Sequence, residues 1–287
     1  MRRPFLTVVP SAILLFSFVL VLAAAPGCKK SVGELKTIDI AADAQGDPSH
    51  PATVKIDMKV GDLHITPGGG HVVGGTVKSN LSDLDPKVDA AADHVQIAQG
   101  TPGASGDWGS EVLADWRLTL GPTPLALAVD TGAGAANLEL GGLALKSVRV
   151  HSGAGALKAS WSAPNQLAAD SLEFDSGAGT ITLTDVARFG ASKIRVHSGA
   201  GSIALTLGSK IDRDVELDVE ASAGRIHITV PAGTTARADA TTAAGGVQTT
   251  GWTKDGTSYV VGPPAPNPRV SVKARTGAGT ILLDVVP

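Results

Sequence analysis

The chain of 287 residues has one cysteine, 3% aromatic residues and 18% charged residues. A single cysteine has no intramolecular partner, so no disulfide holds the fold together. The net charge of −3 gives no electrostatic case for nucleic-acid binding, which would need a basic stripe. The sequence also lacks the HExxH, P-loop, CxxC and protein-kinase motifs, so none of these signatures assigns it to a catalytic class.

The abundant residues are those that disfavour helices. The chain contains 35 glycines and 17 prolines, and these are the two residue types with the lowest helix propensity. Valine, threonine, isoleucine and leucine occur in short alternating runs, which is typical of β-strands. The composition therefore predicts an all-β protein, and its length is sufficient for one or two domains with cores of their own.

The N-terminus differs from the rest of the chain. Arg2 and Arg3 precede an apolar run over residues 12–25, which is too short for a membrane span and indicates a secretory signal peptide. The stretch "AAAPGCKK" resembles the lipobox of bacterial lipoproteins, which implies cleavage after residue 27 and membrane anchoring through lipid on Cys28. An ordinary signal peptide with an incidental cysteine is the alternative. In well-studied Gram-negative bacteria, an aspartate directly after the lipidated cysteine retains lipoproteins at the inner membrane. Lys29 occupies that position here, so the resemblance favours the outer membrane of an organism that has one.

Three further segments follow this leader. Residues 28–50 are polar and are interpreted as a tether or a loose first strand. Residues 51–124 are interpreted as an irregular N-terminal β region, in which "KVGDLHI" is a degenerate copy of the motif described next, with Gly61 in the aligned position. "SDLDPKVDAAAD" allows a short turn of helix, which Pro86 limits.

Residues 125–287 are periodic. A glycine-centred motif recurs in forms such as "VDTGAG", "VHSGAG" and "ARTGAG", and its last glycines are spaced by 21 to 24 residues and finally by 34. Such a period is typical of stacked repeats, and "KDGTSYVVGPPAPNP" in the longest step predicts an insertion or a hairpin. The turn glycines are Gly132, Gly134, Gly153, Gly155, Gly177, Gly179, Gly199, Gly201, Gly224, Gly277 and Gly279.

Apolar residues alternate on both sides of each glycine motif. This period of two predicts strands with one buried face. A unit of about 22 residues is too small to bury that face alone, so copies must stack on one another. We therefore predict a β-solenoid, similar to a single-stranded β-helix, with parallel rungs in sequence order.

The outward positions before each motif carry charges that alternate in sign from repeat to repeat. Opposite charges on adjacent strands stabilise a register, whereas like charges repel, so the pattern predicts a structural charge ladder. The alternation fails once, where two acidic repeats follow each other before the last, basic one. The predicted ladder residues are Asp130, Arg149, His151, Glu173, Asp175, Arg195, His197, Asp218, Glu220, Lys273 and Arg275.

These repeated "GAG" motifs, together with "KVGDLHITPGGGHVVGGTVKSN" and "DLDPKV", resemble the bacterial "putative adhesin" and toast-rack families. The resemblance implies an extracytoplasmic β-solenoid-like domain, related to the C-terminal domain of a cell-envelope stress regulator. It supplies no catalytic residues and no cofactor.

The motifs raise four possible kinds of site, for a transition metal, a catalytic triad, a dinucleotide and calcium. His151 and His197 are two rungs apart, about 9.6 Å, which is too far for one shared zinc ion, so a weak surface metal site or a pH-sensitive ladder is the alternative. Asp175, His197 and Ser198 suggest a triad, but no nucleophile elbow accompanies them, and Ser198 belongs to a hydroxyl column that caps turns. A strand rather than a helix follows each "GAG", which disfavours dinucleotide binding. Calcium binding would need an aspartate in every turn. We expect neither a cofactor nor a metal.

These observations predict a non-enzymatic lipoprotein of the cell envelope, acting as a structural or adhesin-like binding module with a protein or polysaccharide partner. One alternative is a regulatory partner of an envelope-stress signalling system. The other is an enzyme acting on envelope polymers, which would cluster carboxylates in a cleft. The candidates for that cluster are Asp62, Asp83, Asp85, Asp89 and Asp93.

Overall fold

The computed structural model describes residues 33–101, 112–208, 211, 213–262 and 269–286. Their regular structure consists of β-strands and two 3₁₀-helices, Ser82–Leu84 and Val186–Phe189. The all-β prediction is confirmed. No helix in these ranges qualifies as a membrane span. The strands are β1 Lys36–Ala42, β2 Ala52–Pro67, β3 Val73–Ser79, β4 Pro86–Ala90, β5 His94–Gln99, β6 Ala114–Leu120, β7 Leu125–Glu139, β8 Leu145–Ser160, β9 Ser171–Thr184, β10 Lys193–Thr206, β11 Val215–Pro231, β12 Ala236–Thr250, β13 Thr253–Asp255, β14 Ser258–Val261 and β15 Val270–Val286.

All strands belong to one mixed sheet. Its main path runs β1-β3-β6-β2-β7-β8-β9-β10-β11-β15-β12-β14-β13, while β5 pairs with β2 and β4 pairs with β5. From β2 to β12 along this path every pairing is parallel and aligns glycine motif with glycine motif. Antiparallel pairings are confined to the two ends, where β1, β3 and β4 lie at one end and β13 and β14 at the other.

Each long parallel strand passes through a glycine corner, by which we mean the three residues from the first to the last glycine position of the motif. The last position has φ between 126° and 145° in all eight strands, a conformation that residues with a side chain rarely adopt. A Cβ on Gly179 would lie 1.9 Å from the carbonyl oxygen of Gly155 on the adjacent strand. Glycine is therefore required both by the backbone angle and by the stacking. The eight positions are Gly61, Gly134, Gly155, Gly179, Gly201, Gly224, Gly245 and Gly279.

The core lies on the inward side of both halves of these strands. Val150 and Leu157 of β8, on either side of its corner, are completely buried, and the same columns are apolar in the neighbouring strands. The segments that link the strands complete the core, where Trp161 packs edge-on against Phe174 and lies 5.9 Å from Phe189 between ring centroids. These segments also stack by main-chain hydrogen bonds, as from the Leu140 amide to the Ser160 carbonyl at 2.8 Å.

The prediction that rungs stack in sequence order holds from β7 to β11 and is wrong for the last two. β15 lies between β11 and β12, so the C-terminal strand is internal and β12 is the outermost parallel strand. In this order Lys273 lies opposite Asp218 on one side and Asp239 on the other. Sequence order would instead place the two aspartates side by side. The first part of the predicted insertion lies in the hairpin β13–β14, which pairs with the first residues of β12, and its residues 263–268 lie outside the described residues.

The predicted segment boundaries also shift. β2 aligns Gly61 with Gly134 of β7, so the parallel stack begins at Ala52 and not at residue 125. β1 occupies part of the segment interpreted as a tether and pairs with β3, because Ile38, Ile40 and Ala42 alternate inward like any half-buried strand. The turn of helix expected near Pro86 is the 3₁₀-helix Ser82–Leu84, and β4 follows it directly.

Candidate functional site: the ladder face

The structure brings all the predicted ladder residues onto one outward surface, the ladder face, formed by the strand halves that precede the glycine corners. Because β15 is inserted before β12, the sign of charge alternates along this face without the break seen in the sequence. In spatial order the members are Asp130 on β7, Arg149 and His151 on β8, Glu173 and Asp175 on β9, Arg195 and His197 on β10, Asp218 and Glu220 on β11, Lys273 and Arg275 on β15, and Asp239 on β12.

Some of these charges form direct ion pairs. The Arg149 guanidinium lies 3.0 Å from a carboxylate oxygen of Glu173 on the next strand. Arg275 contacts two carboxylates of β11, at 2.9 Å to Asp218 and 3.4 Å to Glu220. All these side chains are more than one-third exposed, so each pair is worth about 0–1 kcal/mol. The sign pattern thus bears on register more than on total stability.

One carboxylate, that of Asp175, lies in register between the two histidines of the face. Asp175 lies in register between His151 on β8 and His197 on β10, which confirms that the two histidines are two strands apart. The Nδ1 atom of His197 lies 3.3 Å from an oxygen of Asp175. No cluster of three metal-ligating side chains occurs in the described ranges. The weak metal site, which the sequence left only as an alternative, gains no support from this arrangement.

The suggested triad does not assemble. His197 is exposed on the ladder face, whereas Ser198, the next residue of the same strand, is completely buried on the core side. Adjacent residues of a strand point to opposite faces, so the Ser198 hydroxyl cannot reach the imidazole of His197. Ser198 instead joins Thr131, Ser152, Ser176 and Thr276 in a buried column of hydroxyls before the glycine corners.

Two shallow depressions mark the ladder face. The first, of about 140 Å³, has Arg195 and His197 at its centre and carboxylates around them. Its polar lining is Glu173, Asp175, Arg195, His197, Asp218 and Glu220. The second is wider, about 540 Å³, and lies beside the glycine corners of β11, β15 and β12. Sequence reasoning missed this second depression, because it exists only when β15 separates β11 from β12.

Two of the five carboxylates proposed for an enzymatic cleft form hydrogen bonds with different partners. Asp62 accepts a hydrogen bond from the Ala135 amide at 3.3 Å. Asp93 lies 2.9 Å from the Nδ1 atom of His94, and this hydrogen bond lowers the pKa of the Asp93 carboxyl. One oxygen of Asp85 is buried, while Asp89 is exposed on β4.

Glu139 forms a polar cluster that the sequence analysis did not identify. It ends β7 and accepts hydrogen bonds from the Gly141 and Ser162 amides, both at 2.9 Å, and from the hydroxyls of Ser160 and Ser162. Burial alone would raise the pKa of Glu139, but these hydrogen bonds outweigh it and lower the pKa. The carboxylate thereby ties the segment after β7 to the segment after β8.

Part of the sequence matches a known family. Residues 30–170 match the family model described as the N-terminal domain of toast_rack. This segment belongs to the toast-rack family. The resemblance stated for the N-terminal region is thus confirmed, and the matched segment extends through the first two glycine corners of the periodic region. Cys28, the proposed lipidation site, precedes the described residues.

Two solved structures are also similar to this chain. One is described as a putative cell adhesion protein from Clostridium sporogenes, with 12% identity, a TM-score of 0.46, and coverage of 88% of this chain and 100% of that one. The other is described as a putative adhesin from Bacteroides fragilis, with 10% identity, a TM-score of 0.40, and coverage of 88% and 97%. No curated protein matches the chain.

Proposed function

We propose that this protein is a non-enzymatic, adhesin-like binding module of the cell envelope that engages its partner through the ladder face. The observation that carries the proposal is the regular array of exposed charges on parallel strands. Strand pairing holds the backbone of the charged residues in place, so the array is presented to a partner with little loss of backbone freedom on binding.

We also propose that each long strand and its connecting segment form one turn of a β-solenoid. The in-register glycine corners and the hydrogen bonds between successive connecting segments support this description. The ladder face is then one side of the coil.

The partner proposed here is a protein or polysaccharide of the envelope with charges of both signs, since neither sign predominates on the ladder face. To test this, the purified chain would be immobilised and exposed to envelope extract and, separately, to a glycan array. Arg195→Gln removes a cation from the first depression and should reduce retention at least fivefold. Arg225→Gln removes an exposed cation from the other outward side, on β11, and should leave retention unchanged. Equal effects of the two variants would contradict the proposal.

A lipid on Cys28 would hold the module at the membrane surface. Mass spectrometry of the chain isolated from its host should show a diacylglyceryl-modified cysteine at the new N-terminus, and Cys28→Ser should release the protein into the soluble fraction. An unmodified N-terminus elsewhere would leave an ordinary signal peptide as the correct interpretation.

A regulatory role in envelope-stress signalling is the second candidate, and it rests on the family resemblance of the sequence. Cross-linking in intact cells separates the two functions. Capture of a membrane-bound histidine kinase or an anti-sigma factor favours regulation, whereas binding on the glycan array favours adhesion.

A further inference from the structure

The outer edge of β12 is the least protected part of the sheet. Among the described residues, β12 pairs with β15 along 14 positions, but on its other side it pairs only at Ala236–Ala238, with β14. The hairpin β13–β14 therefore covers the beginning of this edge, and residues 239–250 have no strand partner on that side among the described residues. An unpaired strand edge is a template for adding another strand.

This edge has fewer of the charged residues and prolines that prevent other edge strands from pairing with a further strand. At the opposite end of the sheet, β1 carries Lys36 and Asp39, and β4 carries Pro86, Lys87 and Asp89, and charges and prolines on edge strands oppose pairing. Residues 240–250 of β12 contain neither a charged residue nor a proline, and the one charged residue of the uncovered stretch, Asp239, lies next to the hairpin and accepts a hydrogen bond from the Ser258 hydroxyl. The contrast singles out this edge from the others.

The inward side of the same segment is also uncovered. Val247 and Thr249 occupy the columns that Ile281 and Leu283 fill on β15. Ile281 and Leu283 are completely buried, whereas Val247 is half-buried and Thr249 is exposed. The apolar core is thus partly open to solvent at β12, and one more strand beside β12 would cover it.

We infer that residues 246–250 pair with the same residues of a second copy of this chain, antiparallel about a two-fold axis near Gln248. In this arrangement Val247 of each copy lies opposite Thr249 of the other, on the same inward side, and Gln248 lies opposite itself. No like charges meet, and β-branched residues pair across the strands, which stabilises antiparallel pairing. A two-fold contact uses one patch twice and closes without forming a fibre.

Addition of a parallel strand beside β12 is disfavoured for two reasons. A Cβ on Gly245 would lie 1.7 Å from the Gly279 carbonyl oxygen. A strand continuing the stack would repeat this geometry against the Gly245 carbonyl and would therefore need a glycine at its corner. The hairpin β13–β14 further occupies the level of the ladder face that such a strand would require. The antiparallel pairing after the corner avoids both obstacles.

The test is the mass of the chain from Lys29 onward, measured by sedimentation equilibrium between about 1 and 100 µM. Wild type should be a concentration-dependent dimer. Gln248→Lys places two cations opposite each other and should weaken dimerisation at least tenfold. Thr182→Lys, at the same outward column on the internal strand β9, should leave it unchanged, and Lys158 on β8 shows that the column accepts lysine.

Three outcomes would overturn the inference. These are a monomeric wild type at 100 µM, a dimer that Gln248→Lys does not weaken although its circular dichroism is native, and equal weakening by both lysine variants. A monomer that instead binds a strand of another envelope protein at this edge would assign the edge to a different partner.

Discussion

The carboxylate of Asp218 on β11 lies 2.9 Å from the guanidinium of Arg275 on β15, although β12 and the hairpin lie between these strands in the chain. The contact exists because the C-terminal strand inserts beside β11. The same insertion places Lys273 between Asp218 and Asp239 and makes the ladder alternate without a break. The position of β15 between β11 and β12 is therefore also the reason that the charges alternate without a break.

Engineered disulfides should report this strand order directly. Ala223 on β11 lies in register with Ala278 on β15, and Ala278 with Ala244 on β12. Adjacent strands are about 4.8 Å apart and a disulfide spans about 4.4–6.8 Å between Cα atoms. In a Cys28→Ser background, the pair Ala223→Cys and Ala278→Cys should oxidise readily. The pair Ala223→Cys and Ala244→Cys, about 9.6 Å apart, should not; efficient closure of this second pair would mean that the rungs stack in sequence order.

A methyl group at a glycine corner should be severely destabilising. Gly179→Ala forces a φ of 126° on alanine and places its Cβ 1.9 Å from the Gly155 carbonyl oxygen, so we expect a loss of about 4 kcal/mol or more in the free energy of unfolding. Urea denaturation followed by circular dichroism measures this loss. Gly70→Ala is the control, because its Cβ would meet no atom within 4 Å and Gly70 lies outside the strands. Comparable losses in the two variants would show that the corner does not constrain residue 179.

The ladder makes a prediction about charge reversal. Asp175→Lys places a cation in register between His151 and His197, so it should lower stability by about 1 kcal/mol at low salt and pH 5, where histidine side chains carry charge. Added salt to about 1 M should recover most of this loss, since it screens exposed charges. Asp175→Asn, which removes one charge without reversing it, should show a smaller effect. An unchanged stability of Asp175→Lys under these conditions would refute the in-register ladder.

Glu139 should contribute a pH-dependent part of the stability. Its folded pKa is lowered, so its contribution is present above its unfolded pKa, about 4.3, and is lost as the pH falls through the folded value. Glu139→Gln removes the charge and replaces the oxygen that accepts from Ser160 by an amide group, which should cost about 1 kcal/mol at pH 7. The variant should also lose less stability than wild type between pH 5 and pH 3. Parallel pH profiles for the two proteins, measured by urea denaturation, would rule out this role.

The sequence by itself determined the local structure of this protein. Alternating apolar residues specified strands and their buried faces, as in the columns of Val150 and Leu157, because a period of two depends only on neighbouring residues. The glycine spacing located the corners and, by aligning repeats, predicted that Asp175 lies between two histidines. These inferences compare residues within one repeat or between adjacent repeats.

Only the tertiary structure decided which repeat lies beside which at the end of the stack. The segments of β12 and β15 carry the same motif, so local pattern cannot rank them as neighbours of β11. Their order depends on contacts across the whole sheet, where Lys273 separates two aspartates and the hairpin covers the start of β12. The second depression and the open edge of β12 follow from that order, as does the contact of Asp218 with Arg275. They could not be predicted because they arise between residues far apart in the chain.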